Sequence, residues 1–88
     1  MMLIDPKPSF LRQAKKLFKK YPNVRKEFEI LVEKLINNPF EQSLKTHALE
    51  GGLKGRYACS LTHELRIIFK LSKDTVHLLS IGTHDEVY

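Results

Sequence analysis

The chain has no tryptophan, one cysteine, four glycines and four prolines among its 88 residues. A single thiol, Cys59, permits no internal disulfide and leaves no second thiolate for a metal, so stability has to come from packing. It also fits a reducing cytosol. No stretch approaches the ~18 apolar residues of a membrane span. Met1 to Ile4 is too short for the apolar region of a signal peptide, and Pro6 and Pro8 follow at once. A cytoplasmic protein with no membrane partner is therefore expected. Gly51, Gly52 and Gly55 make no phosphate-binding fingerprint. The histidines, His47, His63, His77 and His84, lack metal-ligand spacing. Neither a metal nor a cofactor is expected.

What is present is an ordinary globular composition, 42% hydrophobic and 28% charged. Residues 1–88 are expected to make one domain, which at this size buries about 60–65% of its unfolded surface. The net charge is +5 and the pI about 9.5. That balance favours polyanionic partners: RNA, DNA, a ribosome or an acidic protein.

Leu3 and Ile4 suggest a short first strand, ended by Pro6 and Pro8, with Ser9 as N-cap of a helix. Phe10, Leu11, Ala14, Leu17, Phe18 and Tyr21 then fall in one arc of about 120°. Arg12, Lys15, Lys16, Lys19 and Lys20 fill the other side, as a solvated face or a contact for a phosphate backbone. Pro22 and Asn23 open a second helix with Val24, Phe28, Leu31, Val32, Leu35 and Ile36 at helical spacing, stopped by Asn37-Asn38-Pro39. Ile30 falls on its polar side. The short connection implies an antiparallel hairpin.

Phe40 to Gly52 reads as a connecting loop holding His47. From Lys54 the period becomes two. Tyr57, Cys59 and Leu61 face one way, and Arg56, Ala58, Ser60 and Thr62 the other. A turn at Thr62-His63-Glu64 leads to a strand from Leu65 to Leu71, and a turn at Ser72-Lys73-Asp74 to a last strand from Thr75 to Ile81. The predicted class is α+β, with an N-terminal helical hairpin packed on one face of a small antiparallel sheet. Arg56, Ser60 and Arg66 are expected together on the other face.

The order β-α-α-β-β-β, the segment Leu44-Lys45-Thr46-His47-Ala48-Leu49-Glu50-Gly51, Lys54-Gly55, the strand Glu64-Leu65-Arg66-Ile67-Ile68-Phe69 and the ending Gly82-Thr83-His84 resemble the RelE/ParE superfamily of bacterial toxins. Within it the YafQ-like branch is most similar. The resemblance covers nearly the whole chain, and its most specific parts are the His-x-Leu-x-Gly loop and the Gly-Thr-His ending with a final aromatic. It implies a RelE-like fold and an mRNA interferase acting on the ribosome in a bacterial cytoplasm. It also implies a hetero-oligomer with a cognate antitoxin.

By the same resemblance, His47 stands where this branch carries a catalytic histidine, His84 matches a C-terminal catalytic histidine, and Tyr88 matches the final aromatic. Arg66 matches an arginine that contacts the scissile phosphate in RelE and YoeB, and which YafQ-like toxins lack. Ser60 stands where they usually carry a second histidine, Ser80 where they carry an arginine, and Glu64 replaces their aspartate. The resemblance thus implies a hybrid site. His47, His84, Arg66 and Tyr88 would be its catalytic residues, with Lys54, Arg56, Ser60 and Glu64 contacting RNA.

These residue types suit metal-free cleavage by the RNA's own 2′-OH. Two imidazoles with an ordinary pKa near ~6.5 supply a base and an acid at neutral pH, and arginine stabilises the extra charge on the phosphorane. Two alternatives stay open: a catalytically weakened toxin serving as an antitoxin-bound regulator, for which Ser60 and Ser80 speak, and a ParE-like gyrase-binding protein, against which the histidine pair speaks.

Overall fold

A computed structural model describes the chain from Met1 to Tyr88. In order it forms β1 (Leu3–Pro6), α1 (Pro8–Lys20), α2 (Pro22–Asn37), β2 (His47–Ala48), β3 (Tyr57–Ser60), β4 (Leu65–Leu71), β5 (Thr75–Thr83) and α3 (His84–Val87). The five strands make one sheet in the order β1-β5-β4-β3-β2. β3, β4 and β5 are the antiparallel meander the alternation predicts. β1 adds parallel to β5 and β2 antiparallel to β3, so the sheet is mixed. No helix is long and apolar enough to cross a membrane.

The helical hairpin lies on one face. Phe10 and Ala14 of α1 and Leu31 and Leu35 of α2 pack against Cys59, Ile67, Phe69, Val76, Leu78 and Ile81. Burial pushes the Cys59 thiol up to about 12, so it packs as a small apolar group and not as a nucleophile. Ser9 does not cap α1. Lys7 holds the N-cap position without a side-chain bond and Pro8 is the first helical residue, where its missing N–H leaves nothing unpaired. The Ser9 hydroxyl instead donates to the Leu79 carbonyl at 3.0 Å.

β5 carries the decisive irregularity. Phe69 pairs with Leu78 but Ile68 pairs with Ser80, leaving Leu79 as an extra residue in a β-bulge. Val76, Leu78 and Ile81 consequently all reach the core, although 78 and 81 differ in parity. Ser80 and Gly82 turn to the opposite, open face. β1 covers the edge of β5 only as far as Lys7, whose N–H bonds the Leu78 carbonyl at 2.9 Å. Beyond it α1 takes over: Ser9 serves the Leu79 carbonyl, and the Gln13 side-chain oxygen accepts the Ile81 N–H at 3.0 Å. Asp5 clamps the same edge, accepting from Lys7 Nζ at 2.8 Å and His77 Nδ1 at 3.0 Å. These bonds, Lys7 first, hold its carboxyl below the usual range.

Two further expectations need correction, those for residues 40–52 and for the last strand. The segment from Phe40 to Gly52 is not a plain loop. It contains a 3₁₀ turn at Gln42–Leu44, the two-residue strand β2, and the start of a second 3₁₀ turn at Gly51–Leu53. The open face is not wholly exposed, because Ala58 and Ile68 are buried there. The last strand runs two residues past Ile81, and the tail then folds as α3. A capping box closes it: the Thr83 hydroxyl accepts the Glu86 N–H, and the Glu86 carboxylate accepts the Thr83 N–H at 2.8 Å.

Leu35, fully buried between the layers, should cost about 2–5 kcal/mol when replaced by alanine. Exposed Ile30, changed the same way, should move stability by no more than about 0.5 kcal/mol. Urea unfolding of Leu35→Ala and Ile30→Ala tests the contrast. A second expectation concerns pH. The bonds from Thr83 hold the Glu86 carboxyl below its ordinary value. A depressed carboxylate stabilises α3 fully above its unfolded value near ~4.3, and that contribution disappears as pH falls through the lower folded value. The Tyr88 ring signals, followed by NMR, should hold constant down to about pH 4.3 and shift below it. Glu86→Gln should abolish the step.

Candidate active site on the open sheet face

Strand register brings His47, Ser60 and Arg66 onto one surface. Residues paired across neighbouring strands share a face. One row of the open face reads His47, Ala58, Ile68, Ser80 and the next reads Ser60, Arg66, Gly82. With strands ~4.8 Å apart and a rise of ~3.3 Å per residue, the Cα atoms of His47 and Arg66 stand about 12 Å apart.

Arg66 is held by the turn beside it. Its Nη1 donates to the carbonyls of Thr62, His63 and Leu65 at 2.9, 3.0 and 3.1 Å. It makes neither ion pair that Glu64 or Glu86 could have offered, so Nε and Nη2 remain uncommitted. The tail returns toward this guanidinium. The rings of His84 and Tyr88 lie 4.3 Å apart, one turn of α3 from each other. Partial burial raises the Tyr88 phenol, and the nearby Arg66 charge opposes that rise. Tyr88 therefore touches the His84 ring and lies within range of the Arg66 charge. His84 Nδ1 also lies 3.6 Å from an Asp85 carboxylate that is itself fully exposed, a contact that solvent weakens.

Gly82 lies close under the returning tail. A Cβ there would sit 3.0 Å from Glu86 Oε1 and 3.1 Å from its Cβ, against the capping residue. His47 is exposed on β2, and its Nδ1–H donates to the Lys45 carbonyl at 3.1 Å. Lys45 turns that carbonyl inward from a left-handed backbone, with φ of 53°. In the neutral ring this bond places the proton on Nδ1 and leaves the lone pair on Nε2, which points away from the bond.

Other candidates stand apart. Arg56 is on the expected face but four residues from Ser60, about 13 Å along the strand. Lys54 and Arg56 line a shallow hollow with Glu50, Gly55 and Tyr57, not with Arg66. Glu64 lines a cleft of about 760 Å³ between the helices and the β3–β4 turn, shared with Lys16, Lys20, His63 and Glu86. Sequence reasoning missed the positioning residues Thr83 and Glu86. Their signal was available, since Thr83-His84-Asp85-Glu86 has the spacing of a capping box.

A family model described as "Bacterial toxin of type II toxin-antitoxin system, YafQ" matches residues 2–88. Among solved structures, a metal-bound toxin from Helicobacter pylori is 28% identical, with TM-score 0.85 and 100% of both chains covered. YafQ in the DinJ–YafQ complex of E. coli is 22% identical, with TM-score 0.84 over 100% of this chain and 99% of that one. A YoeB/ParE toxin from Agrobacterium tumefaciens is 16% identical, with TM-score 0.81 over 94% and 99%. The last two likenesses speak for the fold. No curated protein sequence matches the chain. With the sheet, the hairpin and the returning tail in place and a family model spanning almost every residue, the chain belongs to the YafQ toxins of bacterial type II toxin–antitoxin systems.

Proposed function

We propose that this toxin is an endoribonuclease that cleaves ribosome-bound mRNA without a metal, as one domain over residues 1–88. The observation that carries the reading is the grouping of a half-committed Arg66 guanidinium with Tyr88 and His84 on the face that also bears His47. His47 Nε2 takes the proton of a 2′-OH. The 2′-oxygen attacks the adjacent phosphorus, the bond to the 5′-oxygen breaks, and His84 protonates that oxygen as it leaves. The products are a 2′,3′-cyclic phosphate and a 5′-OH. Arg66 offers Nε and Nη2 to the phosphorane while its Nη1 keeps the guanidinium in place, a preorganised donor of the kind that stabilises transition states most. Tyr88 stacks on a base or bonds a phosphate oxygen. Ser60 and Ser80 contribute hydroxyls that donate to phosphate but do not titrate at neutral pH.

Lys54, Arg56 and Glu64 fit the edges of an RNA path better than its centre, given their distance from Arg66. The off state comes from an antitoxin, as E. coli YafQ is seen with DinJ. A catalytically silent regulator is the competing reading, favoured by the two serines where the family branch carries histidine and arginine.

Expression of the chain alone should arrest growth and yield mRNA fragments with cyclic-phosphate ends. His47→Ala and His84→Ala should each slow cleavage by about 10²–10⁴-fold with circular dichroism unchanged. A double variant as toxic as wild type would defeat the ribonuclease reading, and a non-toxic wild type would favour the regulator. Arg66→Gln should lower the single-turnover rate by about 10²-fold and leave RNA affinity within a few-fold. The reverse pattern, lost affinity at an unchanged rate, would make Arg66 a docking residue.

A further inference from the structure

The chain's positive charge is not spread over its surface. Of fifteen lysines and arginines α1 holds five, Arg12, Lys15, Lys16, Lys19 and Lys20, and it holds none of the ten acidic residues. Outside α1, ten cations face ten anions, so the whole net charge of +5 resides on one helix. All five side chains are on exposed residues and none forms a salt bridge. At 100° per residue they occupy one arc of about 140°, opposite the Phe10–Ala14 core stripe. Cations on successive turns stand about 5.4 Å apart along the axis, a spacing suited to neighbouring phosphates of one strand.

This arrangement is unfavourable in isolation. Arg12 with Lys16, Lys15 with Lys19, and Lys16 with Lys20 are like charges at i,i+4, each costing about 0.2–0.5 kcal/mol. A face meant only for solvent does not need that cost, as α2 shows. It mixes Arg25, Lys26 and Lys34 with Glu27, Glu29 and Glu33, and pairs Arg25 with Glu29 at 3.9 Å. The hollow on the outer side of α1 is lined by Ser9, Arg12, Gln13, Lys15, Lys16 and Lys19, with no apolar residue. A folding protein segment needs apolar anchors to offset its ordering. A phosphate backbone needs only cations and donors. The strip is fixed to the body through Ser9 and Gln13 on β5, and its last lysine, Lys20, acts electrostatically on Glu86 of α3.

We propose that the outer face of α1 is a second RNA-binding surface, which grips the phosphate backbone of a folded RNA away from the scissile bond. It needs binding alone and stands whether or not the open face cleaves. Fluorescence anisotropy with a labelled 2′-O-methyl RNA duplex tests it, since that probe has no attacking hydroxyl and survives an active enzyme. The full chain is titrated over a series of KCl concentrations. Arg12→Gln/Lys15→Gln/Lys19→Gln, which spares the Lys16 side facing the cleft with Glu64, should weaken binding by about tenfold or more and flatten the salt slope by about 2–3. Cleavage of a short single-stranded RNA should stay within a few-fold. The triple variant relieves the like-charge pairs of Arg12 with Lys16 and Lys15 with Lys19, so its melting temperature should not fall. A charge-matched control, Arg25→Gln/Lys26→Gln/Lys73→Gln, should keep most of the affinity. Equal losses in both triples would reduce the effect to net charge, and an unchanged affinity and slope would leave the strip to a protein partner. Either result overturns the proposal.

Discussion

One extra residue in β5, Leu79, determines which side chains of this strand meet the helices and which lie on the open face. A regular strand would carry Val76, Leu78, Ser80 and Gly82 on one face. That would bury a hydroxyl against α1 and expose Ile81. The bulge after Leu78 inverts the alternation, so Ile81 joins the core and Ser80 and Gly82 join the face of Arg66. A one-residue change of register moves every later side chain across the sheet, and here it moves the whole approach to the tail. The same bulge lies where β1 ends, and the polar groups of Leu79 and Ile81 on that edge find partners in Ser9 and Gln13 of α1. The irregularity that would leave a backbone carbonyl and N–H unpaired is therefore also what docks the first helix.

From Gly82 onward the tail obeys two further constraints. A Cβ at position 82 would crowd the Glu86 side chain, and the Thr83–Glu86 capping box closes a helix of four residues that is too short to persist by propensity. Together they return His84 and Tyr88 toward Arg66. The hybrid character of the site follows from the same geometry. By the resemblance read from the sequence, Ser80 stands at the branch's arginine position, and Arg66 is the cation of this chain's open face. Ser80 pairs with Ile68 and Arg66 pairs with Gly82, so the two positions are diagonal neighbours, about 7–8 Å apart on one face.

Much of this was legible. The apolar arc of α1, the heptad-like run of α2 and the alternation of β4 from Leu65 to Leu71 each express a long repeat, and those elements came out with nearly the expected bounds. What escaped reading has no period to read. β2 is two residues long and owes its existence to pairing with Ala58 and Tyr57, a tertiary fact. The bulge appears in sequence only as adjacent leucines, Leu78 and Leu79, which a regular strand tolerates equally. Ser9 looked like a cap because serine often caps, yet Pro8 had already opened the helix and the hydroxyl served β5. The grouping of His84, Tyr88 and Arg66 depended on α3, whose capping-box spacing was visible but lay in a segment read as a tail.

The placement of charge adds a last step. α1 packs its apolar stripe inward and is tied to β5 on the edge remote from β2, so its cations look away from the His47 end of the open face. A nuclease that concentrated all its charge at the reacting phosphate would bind any polyanion there, product included, and would gain ground-state affinity at the expense of turnover. Here the open face holds scattered cations balanced by acids elsewhere, while the net charge sits on a rigid helix outside the site. In the proposed mechanism, long-range attraction and local transition-state stabilisation thus belong to different elements of one small fold. β5 joins them, carrying the anchors of α1 on its edge and the root of α3 at its end.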